Sequence, residues 1–270
     1  MAGELLRDEP ADGVVRLTIH HPQKQGALDH ALLDAVTAAV TELAPAAASG
    51  AVRALIVTGS EGRFSSGYDL GGLRELSGEA FGAAASALIA HPTTAAIEAL
   101  EACELPTVAA LPGHTMGGGL ELAIACDFRV AADHIRLAMP PAKLGLVYPY
   151  TGLRRFIRTI GEPRTRELFL LGSPIDAGTA LAWGLISGTA DADDLQDEAL
   201  ALAVELAGNA PLAMRGNKRA LRALADADDQ LDAPVAAGLL ALREASIRSD
   251  DLREGVTAFA EKRPPVWRNR

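Results

Sequence analysis

An α/β fold is the class this sequence predicts, on three observations. Short apolar runs, "VVRLTIH" (14–20), "VRALIVTGS" (52–60), "PTVAALPG" (106–113) and "DFRVAAD" (127–133), alternate with helix-like stretches through the first two thirds of the chain. Strands alternating with helices are layered on one another in such folds. The last third, from "LQDEALALAVELAGNAPLAMRGNKRALRAL" onward, reads as helix almost throughout. At 270 residues, 49% of them hydrophobic, the chain has enough apolar material for one sizeable core. The shift near residue 190 is the one internal boundary the composition offers, dividing a core of residues 1–190 from a helical C-terminal region of residues 191–270.

Each element follows from its pattern. In "VVRLTIH", Val15, Leu17 and Ile19 alternate with Arg16, Thr18 and His20, as in a strand with one wet face. "HPQKQGALD" turns the chain into a helix with Leu32, Val36, Val40 and Leu43 at helical spacing. "VRALIVTGS" is rich in β-branched residues and closed by Gly59 and Ser60, so it reads as a buried strand. A loop, "EGRFSSGYDLGGL", and an alanine-rich helical region ending in "TTAAIEALEAC" lead to the strand "PTVAALPG" and a helix headed by three glycines. "DFRVAAD" is a further strand, and residues 163–186 read as two short helices broken at "GSPIDAG".

The charge excludes some functions. The formal net charge is -10, with both signs interspersed, so there is no overall basic field for nucleic acid or an anionic membrane. Arg7, Asp8, Glu9 and Asp12 interrupt the stretch where a signal peptide needs apolar residues, and no later segment reaches spanning length free of charge. A cytoplasmic location is expected. Cys103 and Cys126 form neither a CxxC pair nor a disulfide framework and read as buried thiols. The six histidines make no HExxH or other close ligand pair, so no metal site is expected.

The glycine cluster, in "PGHTMGGGLELAIAC" (112–126), is neither GxGxxG nor a phosphate loop, and the serines of "RFSSGYD" lack the upstream glycine of a nucleophile elbow. What remains is a pair of loops. "FSSGYDL" and "TMGGGLE" each follow a strand and each bring bare backbone to one point; the second also opens a helix whose first N–H groups lack intrahelical partners. Two converging N–H groups make an oxyanion hole, able to stabilise charge on a carbonyl oxygen as it becomes an enolate.

These segments, with "HPQKQGALD", "LPTVAALPGHTMGGGLELAIACDFRVAAD", "PPAKLGLV", "GLRRFI", "ELFLLGSPIDAGTALAWGLI" and "SDDLREGVTAFAEKRPPVW", stand in the order they take in the crotonase superfamily. The chain resembles its enoyl-CoA hydratases and isomerases over nearly its whole length. The resemblance implies a spiral of ββα units, a helical C-terminal region that packs trimers or hexamers, and an acyl-CoA substrate. It implies no metal or redox cofactor; coenzyme A enters only as part of the substrate. By motif position, the oxyanion donors are the N–H groups of Tyr68 and Gly118, with Gly117 beside them letting the thioester approach. Lys24, Gln25, Ala27, Ser66, Asp69 and Leu70 match positions lining the CoA groove, and Lys262 matches one that reaches a CoA phosphate. For Asp69 a helix cap, and for Lys24 and Lys262 a solvated surface lysine, account for the residue equally well.

Hydratases of this family place two glutamates at the α and β carbons. Glu121 matches the first; Pro141 stands where the second would be, and proline carries no proton. Burial would raise the pKa of Glu121 and the helix N-terminus would lower it. Tyr148 lies just beyond, a pattern similar to the methylmalonyl-CoA decarboxylase branch, where the enolate arises by loss of CO2; a tyrosine simply packed with its hydroxyl bonded accounts for it as well. Hydration, double-bond isomerisation by Glu121 alone, and decarboxylation all share the enolate. A reading of another class is a non-catalytic trimeric scaffold or RNA-binding member, which the acidic balance opposes.

Overall fold

The computed structural model describes residues 2–69, 71, 80, 93–226, 233–235, 237–238, 241, 245, 250–251, 254, 258 and 261–268. In chain order the described strands are β1 (Glu4–Ala11), β2 (Val14–His20), β3 (Ala54–Gly59), β4 (Thr107–Leu111), β5 (Thr115–Met116), β6 (Phe128–Ala132), β7 (Arg136–Ala138), β8 (Ile175–Asp176) and β9 (Gly188–Ala190). The helices are α1 (His30–Glu42), α2 (Ala44–Ser49), α3 (Thr93–Ala102), α4 (Gly118–Ile124), α5 (Tyr150–Arg166), α6 (Ala177–Ala182), α7 (Leu195–Ala207) and α8 (Pro211–Asp226). The strands form a six-stranded sheet in the order β1-β2-β3-β4-β6-β9 and a smaller one in the order β5-β7-β8.

From β2 to β9 every pairing in the larger sheet is parallel, so each strand must be reached by a crossover, and the helices of those crossovers cover its faces. That is why "ALIVTG" and "TVAAL" are mostly apolar rather than alternating: all residues of β3 and β4 are buried, Thr58 and Thr107 with their hydroxyls hydrogen-bonded. β2, next to the edge, keeps the alternation, with Leu17 and Ile19 buried and Arg16 and Thr18 half-buried. β1 was not anticipated, because "ELLRDEPA" is charged and mostly exposed. Its signal is the two-residue Asp12-Gly13 connection, with Gly13 at φ 70°, which folds β1 back antiparallel on β2.

α1 starts at Asp29, whose side chain accepts from the Leu32 N–H at 2.9 Å, and its Leu32, Leu33, Val36 and Val40 face the core. The stretch His30–Ser49 has the length and hydropathy of a membrane span; here it is two helices with that apolar face packed against the sheet and α3. α7 lays Leu195, Ala199 and Ala203 on the sheet, and its Gln196 amide donates to Thr58 of β3 at 3.0 Å. Cys103 and Cys126 are both buried and free. His21 is buried as well, its Nδ1 2.8 Å from the Ala27 carbonyl.

The segment 163–186 follows its expected pattern, helical up to Leu171 and again over Ala177–Ala182, with the break inside "GSPIDAG". The helix begins earlier, at Tyr150, and breaks at Gly161 (φ 75°) before Pro163, which lacks the N–H an uninterrupted helix needs. Within "GSPIDAG" the chain forms β8, and Asp176 then caps α6 by accepting from the Thr179 N–H at 2.8 Å.

Candidate active site

The loops after β3 and β4 meet side by side. Ser65 and Thr115 form an isolated parallel bridge, and the Met116 N–H donates to the Ser65 carbonyl at 3.0 Å. Leu28 and Tyr68 form another, with the Leu28 N–H on the Gly67 carbonyl at 2.8 Å and the Asp69 N–H on the Leu28 carbonyl at 3.0 Å. The two glycine turns touch: a Cβ built on Gly67 would lie 3.1 Å from the Met116 carbonyl oxygen and 3.5 Å from the Gly118 nitrogen.

Each of the three glycines is required for a different reason. Gly117 has φ 51° and ψ -124°, outside the range of L side chains. Gly118 has the Tyr68 ring against its Cα, so that a Cβ there would fall 2.3 Å from ring carbon Cε1. Gly119 faces Ser65, whose Cβ would be 2.5 Å from an added methyl. The Gly117 N–H donates to the Ala138 carbonyl at 2.9 Å, and its carbonyl accepts from the Glu121 N–H at 3.1 Å. Gly118 is the first residue of α4, where no intrahelical acceptor exists. Among the described residues, the N–H groups of Tyr68 and Gly118 donate to no protein acceptor.

One turn into α4, Glu121 is a buried residue at 5% exposure. The hydroxyls of Tyr148 and Tyr68 both donate to its Oε2, the latter at 3.4 Å. The Arg155 Nη1 donates to its Oε1 at 3.1 Å. Arg155 in turn grips Glu101 of α3 through Nε at 2.7 Å and Nη2 at 3.1 Å. Gly152, one helical turn before Arg155, lets α5 come this close: a Cβ there would be 2.6 Å from the Tyr148 ring and 2.7 Å from Glu121 Oε1. The Tyr148 ring is held edge-on by Phe169 at 5.2 Å between centroids.

Burial pushes the Glu121 carboxyl above the ordinary carboxylate range, and the Tyr148 hydroxyl, the Arg155 charge and the Tyr68 hydroxyl pull it partly back. Burial raises both tyrosines, Tyr148 well above its ordinary value, and the neighbouring carboxylate raises them further. At neutral pH the two phenols therefore remain protonated donors aimed at one carboxylate oxygen.

The other expected positions divide into those the fold gathers and those it does not. Lys24 pairs with Asp69 at 2.5 Å, and the Asp69 Oδ1 accepts from the Gly71 N–H at 3.0 Å. Ser66 donates from N–H to the Gln25 carbonyl at 3.1 Å and from its hydroxyl to the Lys24 carbonyl at 3.2 Å. Ala27 is buried beneath them. Gln25 and Ser66 line a cleft of about 330 Å³ with Arg63, His114 and Met116. Leu70 lies outside the described residues. Pro141 is buried and opens a single 3-10 turn, its carbonyl accepting from the Leu146 N–H at 2.9 Å. Lys262 sits exposed in a C-terminal turn at φ 52°, and among the described residues no bond ties it to these loops.

Sequence reasoning missed Arg155, Glu101 and Gly152. The available signal was the spacing Gly152-x-x-Arg155, which puts both on one helix face.

Residues 9–270 match the Enoyl-CoA hydratase/isomerase family. The probable enoyl-CoA hydratase echA8 of Mycobacterium bovis is 34% identical over 274 residues, covering 100% of both chains. The carnitinyl-CoA dehydratase of Citrobacter koseri is 35% identical over 224 residues, 80% of this chain and 81% of that one. The enoyl-CoA hydratase from Bacillus anthracis superposes with a TM-score of 0.86 at 29% identity, over 98% of this chain and 99% of that one. With the crotonase fold and the family match spanning almost its whole length, this chain belongs to the enoyl-CoA hydratase/isomerase family of the crotonase superfamily.

Proposed function

We propose that the protein adds water to, or shifts the double bond of, an enoyl-CoA, with Glu121 moving the proton and the N–H groups of Tyr68 and Gly118 holding the thioester oxygen. The observation that carries this reading is a buried carboxylate one helical turn beyond the Gly118 N–H, which, like the N–H of the adjacent Tyr68, has no protein acceptor among the described residues. Charge developing on the thioester oxygen would meet fixed dipoles that need no reorganisation. Glu121, with its pKa raised by burial, is a better proton acceptor than a solvated carboxylate.

Pro141 offers no second carboxylate, so one carboxylate must serve both proton steps, as it would in moving a proton between two carbons on one face. The relatives named hydratase and dehydratase favour the water reaction. Decarboxylation of a methylmalonyl-CoA-like substrate is supported less well. The Tyr148 hydroxyl is already given to Glu121, and a substrate carboxylate placed there would face that charge. Coenzyme A enters as part of the substrate, and the Lys24 to Asp69 segment with its cleft is the proposed seat of its handle.

Incubating the purified protein with crotonyl-CoA, a 3-enoyl-CoA and methylmalonyl-CoA, and following products by mass, separates the reactions. Turnover of methylmalonyl-CoA alone would replace the proposal with decarboxylation. No turnover together with no binding of acetyl-CoA would remove the enzymatic reading.

A further inference from the structure

We infer that Arg155, held by Glu101, is the positioning residue of the Glu121 carboxylate, leaving one lone pair of Oε1 to exchange a proton with substrate. The inference rests on the proposed proton transfer by Glu121 and adds the machinery that aims it.

The geometry is a count of donors against lone pairs. A carboxylate offers about four acceptor sites. On Glu121, Oε2 receives both tyrosine hydroxyls, and Oε1 receives the Arg155 Nη1 at 3.1 Å. One site on Oε1 is left. That oxygen lies against Gly152, where an added Cβ would come within 2.7 Å of it, so only a glycine leaves Oε1 where it is.

Arg155 cannot swing away, because its Nε and Nη2 edge is spent on both oxygens of Glu101. A guanidinium is planar, so fixing one edge on α3 fixes the direction in which Nη1 points. The side chains of Arg155 and Glu121 are 13% and 6% exposed, a setting in which solvent screens the pair little. Among the described residues, the groups facing Glu121 are Tyr68 from the loop after β3, Tyr148 from the segment before α5, and Arg155 from α5 itself. Behind them on α3 stand Glu101, on Arg155, and Thr93, on Tyr68. Glu101 and Glu121 thus share one cation.

That sharing gives opposite signs to two substitutions. Removing Arg155 deprives Glu121 of its only facing cation among the described residues, whereas removing the charge of Glu101 leaves the whole cation to Glu121. Carbon-13 NMR of protein labelled at glutamate Cδ, with the Glu121 signal assigned by its loss in Glu121→Gln, reads the titration midpoint directly. Arg155→Met is expected to raise the midpoint by about one to three units, and Glu101→Gln to lower it. Arg155→Lys keeps a charge but cannot grip both glutamates, so it is expected to restore the midpoint while leaving α-proton exchange of butyryl-CoA in deuterium oxide below that of the parent.

An unmoved midpoint in Arg155→Met, an unmoved or raised one in Glu101→Gln, or full recovery of exchange in Arg155→Lys would overturn the inference. Should Arg155→Met fail to fold, Glu101→Gln, whose amide oxygen still accepts from Nε, decides alone. Exchange retained in Glu121→Gln would instead sink the proton-transfer reading, and the titration would still decide whether Arg155 positions the carboxylate.

Discussion

The two helices that meet at Glu121 are built in opposite ways. Every residue of α4 is buried, and its first turn works through side chains that are missing. Of the seventeen residues of α5, only Gly152, Phe156, Ile160 and Thr165 are buried, and it reaches the site through a side chain that is present, Arg155. α4 presents backbone; α5 presents charge. A backbone donor is placed once the chain folds and costs little to hold there, whereas a guanidinium at the end of a long flexible side chain needs a second anchor, which Glu101 supplies.

The first way to break this comparison is Glu121→Gln, which keeps the shape of α4 and removes its only ionisable group. The rate of the preferred enoyl-CoA reaction is expected to fall about 10² to 10⁴ fold, the usual contribution of a positioned acid or base. Steady-state kinetics with the substrate identified by mass would check it, and full activity would reduce α4 to its backbone contribution.

Gly118→Ala tests that backbone contribution. The added methyl would stand 2.3 Å from Tyr68 Cε1, so the ring or the turn must move. Losing one of the two proposed oxyanion donors is expected to lower kcat about 10² to 10³ fold. Thermal melting should remain a single cooperative transition, because the displaced ring lies at the site rather than in the central packing.

How much of this was legible follows the same division. The buried strands and the glycine-headed helix could be read because they depend on local patterns: largely apolar runs at β3 and β4, and the abrupt "GGG" before an apolar run. β1 was hidden by its charges, and the short strands β5, β7, β8 and β9 are each two or three residues, too few for a period to show. In the site, Tyr68 sits on a recognisable loop and Gly118 and Glu121 on the helix that the glycines head. Arg155 and Glu101 are 54 positions apart, and nothing local to either marks the pairing. The reason for Gly118 was legible only in part, since the Tyr68 ring packed on it is a contact between loops 50 residues apart in sequence, visible only in the fold.

Gly152→Ala breaks the α5 side without touching a charge. Its methyl would meet both the Tyr148 ring and Glu121 Oε1 inside 3 Å. Overpacking of this kind costs about 1 to 3 kcal/mol of stability, measurable by urea unfolding. A displaced carboxylate is expected to lose about 10² in rate. A loss of stability with unchanged kcat would show that the carboxylate tolerates movement of α5, and the contrast between the helices would weaken.

The smallest and sharpest test is Tyr148→Phe. Tyr148 donates to Glu121 Oε2 and, among the hydroxyls there, is the closer of the two. Removing that donor withdraws stabilisation from the ionised carboxylate, whose pKa burial has already raised, so the pKa must move further up. A base is active only when ionised, so its rate falls as pH drops through its pKa, and a higher pKa brings that fall at a higher pH. A hydrogen bond to a charged group is worth about 1.5 to 3 kcal/mol, and one pKa unit is about 1.4 kcal/mol. The acid limb of kcat/KM is therefore expected to shift upward by about one unit, with about tenfold loss on that limb and little change on the alkaline plateau. A loss equal at every pH would mean that Tyr148 does more than support Glu121: its own hydroxyl proton would be moving to or from the substrate, and the division between a helix that supplies chemistry and a segment that aims it would have to be redrawn with Tyr148 on the chemical side.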